Sequence, residues 1–245
     1  MPSATSHVNL VQALQKADEG DPDAMFTAVS YMAAEGYIGK DAEPEINERY
    51  MSYLERLVEA GRTDALIMLG TALVNGEAAS RDPQEAIRLF SLAAEKGESF
   101  GNECMGMMYY EGDAVPGDFQ KAFEFFTKNE GDKSFCTYYA LGEMYRLGLY
   151  VERNEETACG YYAKIAYSKS KHREIDDYFW QAQYRLACAK HYGSGTAKDV
   201  EEALKLIESA RRLGRTTKET ASGEGITEEA MNREWLRINR DMGNI

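Results

Sequence analysis

Met105-Gly106-Met107-Met108-Tyr109-Tyr110-Glu111-Gly112 is answered, 36 residues on, by Leu141-Gly142-Glu143-Met144-Tyr145-Arg146-Leu147-Gly148. A large apolar residue, two glycines and a tyrosine recur in register. Working outward, the apolar–glycine pair reappears as Leu69-Gly70. The closing glycine recurs as Gly36, Gly76, Gly112, Gly148 and Gly193, at intervals of 40, 36, 36 and 45 residues. Downstream stand Asp82, Asp118, Asn154 and Asp199, and four residues after each an alanine: Ala86, Ala122, Ala158 and Ala203. A period of roughly 20–50 residues is the mark of stacked structural repeats.

Residues 63–97 show how one repeat builds itself. Ala65, Leu66, Leu69, Ala72 and Leu73 recur at helical spacing and predict an amphipathic helix. Gly76 ends it with a backbone that other residues rarely adopt. Asp82-Pro83-Gln84-Glu85 opens a second helix with an acidic N-cap, a proline at the first position and a glutamate at the third. Ala86, Ile87, Phe90, Ala93 and Ala94 form its inner face, and Gly97 stops it. Gly70, Gly106 and Gly142 lie in mid-helix, where each costs about 1 kcal/mol against alanine. Close approach of the partner helix offsets that cost, with Ala86, Ala122 and Ala158 as the expected facing residues. Hairpins of this kind stack into an all-α fold, a right-handed α-solenoid whose concave face is lined by first helices.

Composition narrows the function. With 28 Lys+Arg against 41 Asp+Glu the formal net charge is −13. This opposes nucleic-acid binding, which needs cations to displace phosphate counterions, and docking on anionic lipid. Cys104, Cys136, Cys159 and Cys188 form no C-x-x-C pair, and no histidine stands at zinc-ligand spacing from them. They read as small buried hydrophobes in a reducing compartment, with no metal and no cofactor. The first residues lack an apolar leader and no run approaches a membrane span, so the expected location is cytoplasmic. No P-loop, dinucleotide fingerprint or H-E-x-x-H occurs, and neither His7, His172 nor His191 sits in a nucleophile motif.

The repeated pattern resembles the Sel-1-like repeat, a longer-looped relative of the tetratricopeptide repeat. Met105, Gly106, Tyr109, Gly112, Val115, Asp118, Lys121, Ala122, Phe126 and Gly131 carry the resemblance. So do Leu141, Gly142, Tyr145, Gly148, Val151, Asn154, Ala158, Tyr162 and Ala166, and residues 65–97 with Leu73 in place of the tyrosine. Two units depart from the pattern: 21–61, with Ala28-Val29 for the apolar–glycine pair, and 178–214, with Leu186-Ala187. The expected organisation is an N-terminal capping helix within 1–19 and five repeats at about 20–61, 62–97, 98–131, 132–171 and 172–214. A loop and a C-terminal capping helix, with Trp235 as its docking anchor, follow over 215–245. The resemblance implies an adaptor or scaffold. Some secreted relatives are linked to β-lactamase activity, but the S-x-x-K, S-D-N and K-T-G set is not present as a set, nor are those relatives' paired cysteines.

On first helices of this kind, the resemblance implies groove positions two residues either side of the apolar–glycine leucine and five and six beyond it. These are Ile67 and Thr71; Glu103, Met107, Tyr110 and Glu111; Tyr139, Glu143, Arg146 and Leu147; and Tyr184, His191 and Tyr192. Tyrosine offers contact area at low entropic cost, and interspersed carboxylates select a basic or amide-rich ligand. The expected partner is therefore a protein or peptide carrying a basic segment, the alternative being that these tyrosines pack between repeats. Two other classes stay open: an enzyme or small-ligand binder using the same groove, which two carboxylates clustered with His191 would favour, and a self-associating structural protein. Against the acidic background, Lys164, Lys169, Lys171, His172 and Arg173 gather before the last repeat, and Arg211, Arg212, Arg215 and Lys218 after it. They form a candidate basic edge for an acidic partner or phosphate, or a solvated loop and favourable charges at a helix C-terminus.

Overall fold

Helix punctuation in the structure falls where the side chains dictate. The computed structural model describes residues 4–76, 78–169, 177–214 and 226–244. Among them are twelve α-helices, with no strand. Asp82, Asp118, Asn154 and Asp199 each accept a hydrogen bond from the backbone N–H three residues on, at 3.0, 3.0, 2.9 and 3.0 Å. Each such cap satisfies an otherwise orphaned donor and contributes about 1 kcal/mol. Gly76 and Gly148 close their helices in the left-handed region, at φ 66° and 72°.

A second recurring bond fixes the connection inside each hairpin. The N–H groups of Asp82, Asp118, Asn154 and Asp199 donate to the carbonyls of Leu73, Tyr109, Tyr145 and Lys190 at 2.9–3.0 Å. The donor stands nine residues after the acceptor every time. The fixed distance from glycine to acid in the sequence is thus the length of a hydrogen-bonded loop.

The described chain divides into two compact units, Met1–Met105 and Gly106–Ile245. The first holds α1 (Ala4–Asp18), α2 (Pro22–Ala34), α3 (Pro44–Glu59), α4 (Thr63–Asn75), α5 (Pro83–Glu95) and the first half of α6 (Phe100–Glu111). Prolines stand at the first positions of α2, α3 and α5, where the missing N–H costs nothing. Leu54, Leu57, Leu66, Leu89, Phe90, Val29 and Met32 are its buried centre.

The second unit contains the rest of α6, α7 (Phe119–Asn129), α8 (Phe135–Leu147), α9 (Glu155–Ala166), α10 (Asp177–Tyr192), α11 (Val200–Leu213) and α12 (Glu228–Asp241). One core cluster is built on Phe126, Leu141 and Met144. The other is built on Tyr162, Ile165, Trp180, Leu186, Leu206 and Ile207. Burying each such side chain contributes about 1.5–3 kcal/mol. α12 adds Met231 and Ile238 to this second cluster, and Trp235 packs against it. Arg211 fastens α12 from α11, its guanidinium 4.5 Å from the Trp235 ring centroid and its Nε donating to Asn232 Oδ1 at 2.8 Å.

The mid-helix glycines do mark close approach, but the facing group differs from the expected alanine. A Cβ at Gly70, Gly106 or Gly142 would come within 2.5, 2.7 or 2.6 Å of Phe90, Phe126 or Tyr162. Each of these rings stands one turn beyond the alanine, which is itself fully buried alongside. The second helix lays an aromatic ring over the first helix's backbone, and only glycine leaves room for it.

Candidate functional site

Where the first helices were expected to offer an acidic groove, the second unit holds a buried ion cluster. Glu143, on α8, is 2% exposed. Arg146, one turn further along α8, donates to it through Nε at 3.0 Å and Nη2 at 2.7 Å. Arg185 comes across from α10, its Nη2 donating at 3.0 Å and its Nε also 3.0 Å from the carboxylate. The Tyr162 hydroxyl donates from α9 at 2.5 Å. Burial pulls the Glu143 carboxyl upward, but the hydrogen bonds from Arg146 and the charge of Arg185 prevail and hold it below its ordinary value. Burial beside this carboxylate raises the Tyr139 and Tyr162 hydroxyls, which stay neutral.

A pocket of about 200 Å³ opens beside this cluster, between α8, α9 and α10. It is lined by Arg146, Arg153 and Arg185, with Glu155, Cys159, Cys188, Tyr192 and Ser194. Arg153 pairs with Glu155. Burial pushes the Cys188 thiol up to about 12 and raises that of Cys159 as well, so neither is a thiolate at neutral pH. Tyr192, 55% exposed, is the large aromatic surface on the rim.

Of the residues expected to line a groove, Arg146 and Tyr192 reach this pocket and the others do not. Tyr139 is packed between the rings of Tyr162 and Tyr178, at 5.9 and 5.5 Å. Tyr110 is buried edge-on to Phe119 and Phe126. Met107 packs on the Phe126 cluster, and Tyr184 is half-buried against the Trp180 cluster. Ile67 and Glu103 are buried and belong to the first unit. For Tyr110, Tyr139 and Glu143 the exposure expected of them is therefore corrected: these side chains fill the space between helices. Arg185 was missed, although a lone arginine among the apolar residues of Trp180–Ala189 was the available signal.

His191 does cluster with two carboxylates. It is 3% exposed, with Nδ1 2.6 Å from Glu234 Oε1 and Nε2 2.9 Å from Asp241 Oδ2. Both ring nitrogens face acceptors of the chain's own α12, so neither is presented to a ligand. The arrangement ties α12 to α10.

The basic edge is only partly described. Lys171, Arg173 and Arg215 lie outside the described residues, as do His172 and Lys218. Lys169 and Arg212 share the wall of a second pocket of about 370 Å³ with Ser209 and Gln183, whereas Arg211 is engaged with α12. Among the described residues no group of three or more His, Cys, Asp or Glu is placed to hold a metal, and no helix is long and apolar enough to cross a membrane.

The Sel1 repeat profile matches residues 63–98, 105–128, 137–170 and 180–214. The α2–α3 pair lies outside these matches. No curated protein sequence matches the chain. Among solved structures, a Sel1 repeat protein from Oxalobacter formigenes is similar at a TM-score of 0.65 and 24% identity, over 91% of this chain and 88% of that one. A protective antigen of uropathogenic Escherichia coli strains, displaying an SLR fold, is similar at 0.61 and 24% identity. That similarity covers 96% of this chain, which spans 56% of the antigen. These likenesses concern the fold.

Proposed function

Because this chain belongs to the Sel1 repeat family, we propose that it is a non-catalytic protein-binding scaffold that seats an acidic segment of a partner in the pocket between α8, α9 and α10. The observation that carries this is an excess of cations at the pocket wall: Arg146 and Arg185, which share Glu143, and Arg153, which pairs with Glu155, set three guanidinium groups against two carboxylates. Glu143, which would have chosen a basic ligand, turns its charge inward to Arg146 and Arg185. Arginine forks match carboxylates in geometry, and Tyr192 beside them adds contact area. The net charge of −13 repels an acidic segment at long range, so the local contacts govern specificity and not the encounter rate. Thiols raised by burial support binding over nucleophilic catalysis. We also read α2 and α3 as a divergent first repeat, making five.

The test is a fluorescent peptide library with acidic, neutral and basic members, read by anisotropy. Acidic members should bind, and Arg153→Glu should weaken them about tenfold or more without moving the melting temperature. Retention of basic members alone, or binding indifferent to Arg153→Glu, would overturn the reading.

A further inference from the structure

Against two ionised carboxylates, the His191 contacts satisfy a hydrogen-bond count only when both ring nitrogens carry protons. Both carboxylates are acceptors, and a neutral imidazole has a single N–H. If His191 is neutral, one of its nitrogens turns a lone pair toward a carboxylate oxygen less than 3 Å away. The imidazolium donates to both. This matters because both contacts run from α10 to α12 where α12 closes the last helix pair, the one to Glu234 buried and the one to Asp241 made by a half-exposed carboxylate. Glu234 also accepts from the Tyr192 hydroxyl at 3.1 Å, and Arg237 lies 3.4 Å from the same carboxylate.

We propose that His191 with Glu234 and Asp241 forms a pH-sensitive latch on α12, closed when the imidazole carries both protons and loosened when it gives one up. The other titratable and charged groups around it are known. α10 contributes Tyr184, Cys188 and Tyr192, α12 contributes Arg237 and Arg240, and Lys198 faces Asp241 from the loop before α11. Burial raises Tyr184, Cys188 and Tyr192, which stay neutral through the physiological range. The hydrogen bond from His191 holds the Asp241 carboxyl below its ordinary value, so it stays ionised there. Between two accepting carboxylates, the imidazole proton is the one whose loss changes the count. The latch rests on its own hydrogen bonds and not on what the neighbouring pocket binds.

Hydrogen exchange of the full chain, corrected for the intrinsic pH dependence of exchange, tests it. Amides of α12 should lose about tenfold or more of their protection between about pH 6 and pH 8.5, the size of one lost charge-assisted hydrogen bond. Amides of α4 and α5 serve as the reference and should hold. Glu234→Gln and Asp241→Asn provide the second readout, because a carboxamide can donate or accept and so suits either imidazole state. Each variant should flatten the pH dependence and leave α12 better protected than in the wild type at the higher pH. Equal wild-type protection at both pH values, or an undiminished dependence in both variants, overturns the latch.

Discussion

Arg185 and Glu143 stand 42 residues apart in the chain and meet at 3.0 Å in the interior of the second unit. The pair joins the first helices of two successive repeats, and Arg146 completes it from the same helix as Glu143. Removing charge from water costs several kcal/mol per ion, so the cluster holds only while its partners are all present. Deleting the carboxylate would leave two part-buried guanidinium groups without their shared counter-charge. Glu143→Ala should destabilise the second unit by about 3–5 kcal/mol, measured by denaturant unfolding. Replacing Glu143, Arg146 and Arg185 together by apolar residues of similar volume should recover most of that loss. A neutral effect of Glu143→Ala alone would show that the cluster is solvated.

The same cluster gives an acid limb to stability. Glu143 is held below its ordinary value of 4.5 in the folded state, so its contribution is present above that value and is lost as pH falls through the lower folded one. The stability difference between the wild type and Glu143→Gln should stay constant from about pH 8 to pH 5 and shrink below about pH 4.5. Urea titrations at each pH read it directly. A gap that widened in acid would reverse the assignment.

At Gly106 the contact to test is with a ring. Gly106→Leu would press on Phe126 and should cost about 1–3 kcal/mol or more. Phe126→Leu in the same chain would free part of the space, so the double variant should cost less than the sum of the singles. Additivity within error would mean that the glycine and the ring do not compete for one volume.

How much of this was legible follows from the range of each interaction. The acid-to-glycine spacing was readable because it is closed by local bonds, such as Asn154 N–H to the Tyr145 carbonyl. The close approach at Gly142 was readable, but its partner was not. Ala158 and Tyr162 both point inward from α9, and only the packed backbone decides which of them covers the glycine. Glu143 fell on the expected face of α8, yet its exposure depended on Arg185, far along the chain, and its register gave no sign of that partner. His191 was singled out by position, while Glu234 and Asp241 lie beyond residues 215–225, in a helix whose docking register the sequence does not state.

The cysteines should behave as buried thiols. Burial pushes Cys104 and Cys188 up to about 12 and raises Cys159. Iodoacetamide at about pH 8 should label these three slowly in the native protein, since the thiolate is the nucleophile. In denaturant without reductant all four cysteines should react, as no disulfide joins them. Recovery of two or fewer thiols would require a disulfide.

Tyr139 and Tyr192 should part company on mutation. Tyr139, 6% exposed and wedged between Tyr162 and Tyr178, belongs to the core, and Tyr139→Ala should cost about 3–5 kcal/mol by opening a cavity. Any loss of binding it causes would follow from unfolding and would track the melting curve. Tyr192 presents its ring to the pocket from the surface, and its hydroxyl reaches Glu234. Tyr192→Phe removes the hydroxyl's bonds to Glu234 and from Arg237 and keeps the ring, so it should leave peptide affinity near that of the wild type. Tyr192→Ala removes the contact surface and should weaken an acidic peptide by about 2 kcal/mol if the ring is a hot spot, while the fold, read by circular dichroism, is retained. Equal affinity in Tyr192→Ala and the wild type would take the partner away from this pocket, whatever Tyr139→Ala does.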